Sequence, residues 1–97
     1  MSAKEANKYI ETVQGWLINT DSTVIFRIFR MKNFMAAVKF IQLIAEGAEN
    51  ENHHPDIHLT GYRNLRVELS THAIDGLSEN DFILAAKINE LPCELKN

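Results

Sequence analysis

The stretch "NFMAAVKFIQLIAEGAE", residues 33–49, decides the fold because it carries the clearest helix pattern in the chain. Its apolar residues recur at intervals of three and four positions, which is typical of a helix that buries one face. Asn33 is a suitable N-cap, and the pattern ends shortly before a pair of histidines. The residues that follow the helical rhythm are Phe34, Ala37, Val38, Ile41, Ile44, Ala45 and Ala48.

The segments on either side of this helix each have the pattern of a β-hairpin. Residues 15–31 ("GWLINTDSTVIFRIFRM") place polar turn-forming residues ahead of a run of β-branched and aromatic side chains. Residues 56–71 ("DIHLTGYRNLRVELST") alternate apolar and polar side chains, with a turn predicted over 60–64. Two such hairpins predict a four-stranded antiparallel sheet.

Two more helices are predicted near the ends of the chain. The first covers residues 4–14, with Ser2 as its N-cap. The last begins after Ser78 and has Asp81 at its third position, in the manner of a capping box. Pro92 then stops this helix.

The resulting element order, α-β-β-α-β-β-α, predicts an α+β fold that forms one domain over residues 1–97. We expect a four-stranded antiparallel sheet with the helices packed on one face. Residues 24–31 are apolar on both faces of their predicted strand, although one layer of helices covers only one face of a sheet. We therefore expect a homo-oligomer in which a second subunit covers the remaining apolar surface.

The composition excludes several classes of function. The net charge is −3 and no dense run of Lys or Arg occurs, so we expect no direct nucleic-acid binding. No apolar stretch is long enough to span a bilayer, and the N-terminal residues lack the apolar core of a signal peptide, which predicts a cytoplasmic protein without a membrane anchor. The single cysteine, Cys93, excludes an internal disulfide and a cysteine-based zinc site, and we expect its thiol to be inert.

The most informative polar segment is "AENENHHPDIHLTGY", residues 48–62, which holds three of the four histidines. A zinc site is disfavoured, because His53 and His54 are adjacent and would point opposite ways in an extended chain. A polar surface loop is the simplest interpretation for any one histidine, and we keep it for His58 in the middle of a predicted strand. An acid–base site is favoured for the pair, because Glu49 precedes His53 by one helical turn and Pro55 fixes the chain direction.

Two further residues extend this candidate site. His72 directly follows the second predicted hairpin, and Asp81 begins the last helix. Helix capping alone would explain Asp81, although the same carboxylate is also suited to hold a histidine. Trp16 is expected in the core. Because the chain has no glycine-rich phosphate loop, these histidines and carboxylates point to proton transfer on a small uncharged organic substrate.

The spacing of these residues resembles the signature of the pterin-4a-carbinolamine dehydratases. Flanking segments agree with this resemblance, which extends over residues 15–90 and includes "MKNF" at 31–34, "LSTH" at 69–72 and "GLSENDFILAAKI" at 76–88. The signature positions are Glu49, His53, His54, Pro55, Tyr62, His72 and Asp81.

The resemblance implies an enzyme that removes water from 4a-hydroxytetrahydrobiopterin, or a related carbinolamine, to give the quinonoid dihydropterin. This reaction recycles the cofactor of aromatic amino-acid hydroxylases, phenylalanine hydroxylase above all, and uses no metal or organic cofactor. By position, the resemblance implies three catalytic histidines, of which His53 and His72 are the acid–base pair and His54 also holds the pterin. Glu49 and Asp81 orient or tune the histidines. Members of the family associate as homodimers or homotetramers.

The chain departs from the animal members at three positions. It has Ile57, Ile74 and Asn80 where those members carry Trp, Cys and Arg, so the walls of the pocket are expected to differ. The alternative function is a non-enzymatic binding module, either a dimerisation cofactor of a homeodomain transcription factor or a protein that resembles a Rubisco assembly chaperone. The presence of all three family histidines favours the enzyme.

Overall fold

The computed structural model describes residues 1–97 and confirms the predicted α+β fold and its element order. Every predicted hairpin and helix is present, although the first helix ends early and continues as a 3₁₀ turn. The elements are α1 (Ala3–Tyr9) with a 3₁₀ turn (Ile10–Thr12), β1 (Leu17–Ile18), β2 (Ile25–Arg30), α2 (Phe34–Glu51), β3 (Asp56–Thr60), β4 (Asn64–Leu69), a second 3₁₀ turn (His72–Ile74) and α3 (Glu79–Asn89).

The four strands form one antiparallel sheet in the order β1-β2-β4-β3. The two hairpins therefore lie side by side and join through β2 and β4, whose register pairs Ile25 with Leu69. On the other side of β4, Asp56 pairs with Glu68. This register brings the start of β3 and the end of β4 to the same end of the sheet, so the histidine pair before β3 and His72 after β4 are placed at that end.

One face of the sheet and the helices enclose the hydrophobic core. The alternating residues of β4 point into it, as the pattern predicted. Trp16 is 4% exposed and its indole donates to Asn89 Oδ1 at 2.9 Å, which confirms its expected place in the core. The large core side chains with almost no exposure include Ile25, Phe40, Ile44, Leu65, Val67, Leu69, Leu84 and Ile88.

The turn after the first helix requires a glycine. Gly15 has a φ of +84°, and a Cβ at this position would lie 2.7 Å from Nε of Arg27. The Arg27 guanidinium in turn donates to Asn89 Oδ1 at 2.7 Å, the same oxygen that receives the Trp16 indole N–H. These contacts tie the first turn of the fold to β2 and to the end of α3.

The buried face of α2 differs from the predicted one. The predicted stripe included Phe34 and Val38, but these are 50% and 38% exposed. Apolar residues cover more than half the circumference of this helix, so periodicity alone cannot select the side that faces the sheet. The residues that reach the core are Ala36, Ala37, Phe40, Ile44 and Ala48.

The face of the sheet opposite the helices is partly apolar, as expected from the two-sided pattern of β2. Leu17 and Ile28 are 59% and 57% exposed on this face. The Arg66 guanidinium lies over the Phe26 ring, 3.9 Å from its centroid, and shields part of it from water. None of the three helices is long and apolar enough to cross a membrane.

Candidate active site

The end of α2 positions the histidine pair. Asn52 adopts the left-handed conformation, with φ 49° and ψ 43°, and the His53 N–H donates to the Ala48 carbonyl at 3.0 Å. This is a closure of the Schellman type, in which asparagine takes the place usually held by glycine. It extends the helix to Glu51, two residues beyond the predicted end, and then turns the chain sharply into His53.

His53 is held by a carboxylate from the other end of the fold. Its Nε2 lies 2.5 Å from Oδ1 of Asp81, and the His53 side chain is 15% exposed whereas Asp81 is completely buried. Oδ2 of Asp81 accepts the backbone N–H of Ser78 at 3.0 Å, as the predicted capping box requires, and the hydroxyl of Thr71 at 2.9 Å. The capping residue is therefore also the partner of a histidine.

These contacts favour one tautomer of the neutral His53 ring. An ionised carboxylate only accepts hydrogen bonds, so Nε2 of His53 carries the proton that faces Asp81. In the neutral ring this leaves Nδ1 without a proton, as the nitrogen able to accept one. The arrangement suits a group that alternates between accepting and donating a proton at Nδ1.

His54 points to a different partner. Its Nε2 lies 2.5 Å from Oε2 of Glu49, and the two side chains are 61% and 75% exposed. The sequence placed Glu49 one turn before His53, but the sharp turn at Asn52 brings Glu49 to His54 instead. An ion pair this exposed stabilises the fold by less than about 1 kcal/mol, so its value lies in orientation rather than stability.

His72 lies in the second 3₁₀ turn, and its exposed side chain makes no hydrogen bond within the chain. The turn is closed at its base, where the backbone of Thr71 pairs with Gly76 in both directions, at 2.7 and 3.4 Å. Thr71, the neighbour of His72, is the residue whose hydroxyl contacts Asp81. The fold thus brings His53, Asp81 and the segment that carries His72 together.

Other candidate residues lie outside this group. His58 is exposed on the open face of the sheet, 3.7 Å from Glu68, which agrees with its interpretation as a surface histidine. Tyr62 is in the β3–β4 turn, separated from the histidine pair by the length of β3, roughly 16 Å for its five residues. Burial raises the pKa of the Cys93 thiol, against the smaller opposing effect of Arg27, so the thiol stays protonated at neutral pH.

Two polar residues of the site were missed in the sequence, Thr71 and Ser78. Thr71 is part of the "LSTH" segment and Ser78 was identified only as a helix cap, but their hydroxyls lie 2.7 Å apart. Nothing local in the sequence shows this contact, because it forms only when α3 packs against the end of β4. No three His, Cys, Asp or Glu side chains are grouped in a way that would hold a metal ion.

The fold and the site together define a class of protein, an α+β protein in which a histidine contacts a buried carboxylate at one end of an antiparallel sheet. A family model described as pterin 4 alpha carbinolamine dehydratase matches residues 1–91. The chain belongs to this family.

Relatives and solved structures agree with this assignment. Pterin-4-alpha-carbinolamine dehydratase 2, mitochondrial, of Arabidopsis thaliana is 49% identical over 96 residues, which are 97% of this chain and 51% of that protein. The chain thus spans about half the length of this relative. A second relative, from Halorhodospira halophila, is 45% identical over 91 residues, 94% of this chain and 83% of that one.

Two solved structures share the fold. A transcriptional coactivator/pterin dehydratase from Brucella melitensis has a TM-score of 0.84 at 31% identity and covers 92% of this chain and 94% of its own. A pterin dehydratase-like protein described as a RuBisCO assembly factor in the alpha-carboxysome has a TM-score of 0.65 at 18% identity, over 78% of this chain and 87% of its own. The second similarity shows the fold alone.

Proposed function

We propose that this protein is a dehydratase that removes water from a 4a-hydroxytetrahydropterin, such as 4a-hydroxytetrahydrobiopterin, and releases the quinonoid dihydropterin. The observation that carries the proposal is the contact between His53 and the buried Asp81, beside the turn that bears His72. Membership of the dehydratase family supplies the substrate class.

The reaction needs one proton delivered and one removed. The bond between C4a and the hydroxyl oxygen breaks, so the departing hydroxyl must receive a proton to leave as water. A ring N–H gives up its proton, and the electron pair of that bond forms the new double bond to C4a. His53 and His72 are the two groups available for these transfers, and general acid–base catalysis of this kind contributes about 10²–10⁴-fold to a rate.

His53 is the better defined of the two. Asp81 fixes its orientation and leaves Nδ1 free for the substrate, as the hydrogen-bond geometry requires. His72 is exposed on a short, closed turn and approaches from a different segment. Because His53 and His72 lie on different segments, we propose that one imidazole protonates the leaving hydroxyl while the other accepts the ring proton.

For His54 we propose a role in holding the pterin. It is more exposed than His53 and has no buried partner, so its position depends on Glu49. An exposed neutral imidazole whose Nε2–H is paired with a carboxylate presents Nδ1 as a hydrogen-bond acceptor, and a flat surface, to a heteroaromatic ring. We propose that Glu49 orients His54 and that Asp81 orients His53.

The test is a spectrophotometric dehydration assay with synthetic carbinolamine, run with and without a metal chelator. We expect dehydration well above the spontaneous rate, no loss with the chelator, and no stoichiometric zinc in the purified protein by elemental analysis. A rate equal to the spontaneous one would contradict the proposed function. One zinc per chain together with chelator-sensitive activity would instead support a metal site.

The alternative, a non-enzymatic binding module, is supported by the description of the Brucella melitensis structure as a transcriptional coactivator as well as a pterin dehydratase. A binding surface has no need of a histidine held against a buried carboxylate, so the His53–Asp81 contact favours the enzyme. Four further statements stay predictions: that the chain forms a single domain, that it needs no cofactor, that it is located in the cytoplasm, and that it is functionally linked to phenylalanine hydroxylase. Assembly into a homodimer or homotetramer is proposed from the exposed apolar surface.

A further inference from the structure

Thr71 links three parts of the site. It follows the end of β4 and immediately precedes His72. Its hydroxyl donates to Oδ2 of Asp81 at 2.9 Å and lies 2.7 Å from the Ser78 hydroxyl. Its backbone N–H and carbonyl both pair with Gly76 and close the turn that carries His72. All the polar groups of Thr71 are therefore engaged at this junction.

The hydrogen bonds between the side chains at this junction run in one direction, from Ser78 to Thr71 and from Thr71 to Asp81. A hydroxyl has a single proton, and since Thr71 gives its proton to Asp81, the Ser78 hydroxyl must donate to Thr71. The Ser78 backbone N–H donates to the same carboxylate oxygen. The two hydroxyls and the Ser78 N–H thus all donate toward Asp81, and hydrogen bonds in such a chain strengthen one another in a low-dielectric interior.

The second oxygen of Asp81 is the one that faces His53. A carboxylate turns easily about its terminal torsion, so its orientation depends on the donors around it. Two donors on Oδ2 define one orientation of the group, and this directs Oδ1 at Nε2 of His53. Without the Thr71 hydroxyl, the Ser78 N–H would be the only donor left on Oδ2.

We propose that Thr71 is a positioning residue that couples the two histidines. Its hydroxyl sets the orientation of Asp81 and thereby the ring of His53, while its backbone holds the turn that presents His72. The inference rests on the proposed dehydratase function for its kinetic consequence. Because His54 and Glu49 do not contact this junction, loss of the hydroxyl lowers kcat and leaves KM close to the parent value.

The test compares Thr71→Val, which keeps the shape of the side chain without its hydroxyl, with Thr71→Ser, which keeps the hydroxyl. Thr60→Val is the matched control, because Thr60 is exposed at the far end of β3. We expect Thr71→Val to lower kcat by up to about 10²-fold, the scale of a small misplacement of a catalytic group. Thr71→Ser and Thr60→Val should stay near the parent. Equal kcat values for Thr71→Val and the parent would overturn the inference, as would a change confined to KM.

A second measurement does not depend on activity. In ¹⁵N NMR spectra the His53 ring should show protonated Nε2 and unprotonated Nδ1 in the parent and in Thr71→Ser, and a mixture of tautomers in Thr71→Val. If the parent shows no dehydratase activity, the proposed function fails while this spectrum still tests the positioning. Should Thr71→Val not fold, the parent alone decides: a Thr71 hydroxyl proton protected from exchange supports the inference, and a rapidly exchanging one overturns it.

Discussion

Asp81 is the one charged residue that the fold buries completely. An isolated carboxylate in such a place would cost several kcal/mol, and only partners with well-placed hydrogens offset that cost. Here a backbone N–H, a threonine hydroxyl and a histidine supply them. A surface carboxylate could cap α3 equally well, so capping alone does not account for the burial of Asp81, whereas its contact with His53 does.

The roles of His53 and His72 are tested by removing each and then both. We expect His53→Ala and His72→Ala each to lower kcat strongly, within the range of about 10²–10⁴-fold for a lost general acid or base, with KM changed by a small factor. The double variant should approach the spontaneous rate. The measurement is steady-state dehydration kinetics, with circular dichroism to check folding. His58→Ala, which removes an exposed histidine outside the site, is the control and should match the parent. A double variant that dehydrates near the parent rate would refute the assignment.

His54 should behave differently from its neighbour. If it binds the pterin equally in the ground and transition states, His54→Ala raises KM and changes kcat little. Glu49→Gln should act in the same direction but more weakly, because the pair is exposed and the imidazole keeps its place in the chain. The same assay measures both. A fall in kcat for His54→Ala as large as that for His53→Ala would show that His54 takes part in proton transfer.

At the scale of elements, the end of α2 determines where the histidines point. The periodicity of apolar residues predicted this helix correctly, but it does not encode where the helix ends or which face of the helix is buried. The end is set by Asn52, whose left-handed conformation stops the helix after Glu51 and permits the closing bond from His53 to Ala48. The buried face is set by the sheet against which the helix packs.

The left-handed conformation of Asn52 predicts how substitutions at this position change the free energy of unfolding. Asn52→Gly should leave stability unchanged or raise it slightly, whereas Asn52→Val should lower the free energy of unfolding by about 1–2 kcal/mol, because a β-branched residue disfavours the left-handed conformation that asparagine tolerates. Urea denaturation measures both. Asn50→Val is the control, because Asn50 is exposed within the same helix and has ordinary helical geometry. Equal losses at positions 50 and 52 would contradict the role of the cap.

The sequence predicted which carboxylates and histidines belong to the site, but it did not predict which carboxylate contacts which histidine. All five candidate residues, Glu49, His53, His54, His72 and Asp81, were identified from the sequence. Their contacts were not, because His53 and Asp81 are 28 positions apart and meet only through tertiary packing. Helix caps and hairpins are encoded within a few residues, so they are predictable. Contacts such as that between Thr71 and Asp81 depend on how elements separated in the chain come together.

At the scale of the whole molecule, the exposed apolar residues predict assembly. Leu17 and Ile28 lie on the open face of the sheet, and Phe34, Met35 and Val38 lie on the outer side of α2, each between 38% and 61% exposed. Light scattering at micromolar concentration should give the mass of a dimer or tetramer. A monomer mass would contradict the prediction.

Two charge substitutions identify the surface that is used. Ile28→Lys places a charge on the open face, and Met35→Lys places one on the outer side of α2, where both side chains are more than half exposed in the single chain. We expect the variant at the contact between subunits to lower the measured mass and the other to leave it unchanged, so each serves as the control for the other. Parent mass in both variants would exclude these two surfaces.

The central pairing of β2 with β4 has a consequence for how the protein acquires activity during folding. Each hairpin is local and forms early on general kinetic grounds, but β2 and β4 are separated by the whole of α2 and β3, and closing so long a loop is slow. The register of β4 with β2 and β3, followed by the docking of α3, then brings Asp81 to His53. A partly folded chain therefore holds both hairpins without the contact between His53 and Asp81, so any turnover in the proposed reaction should return at the last step of assembly rather than the first.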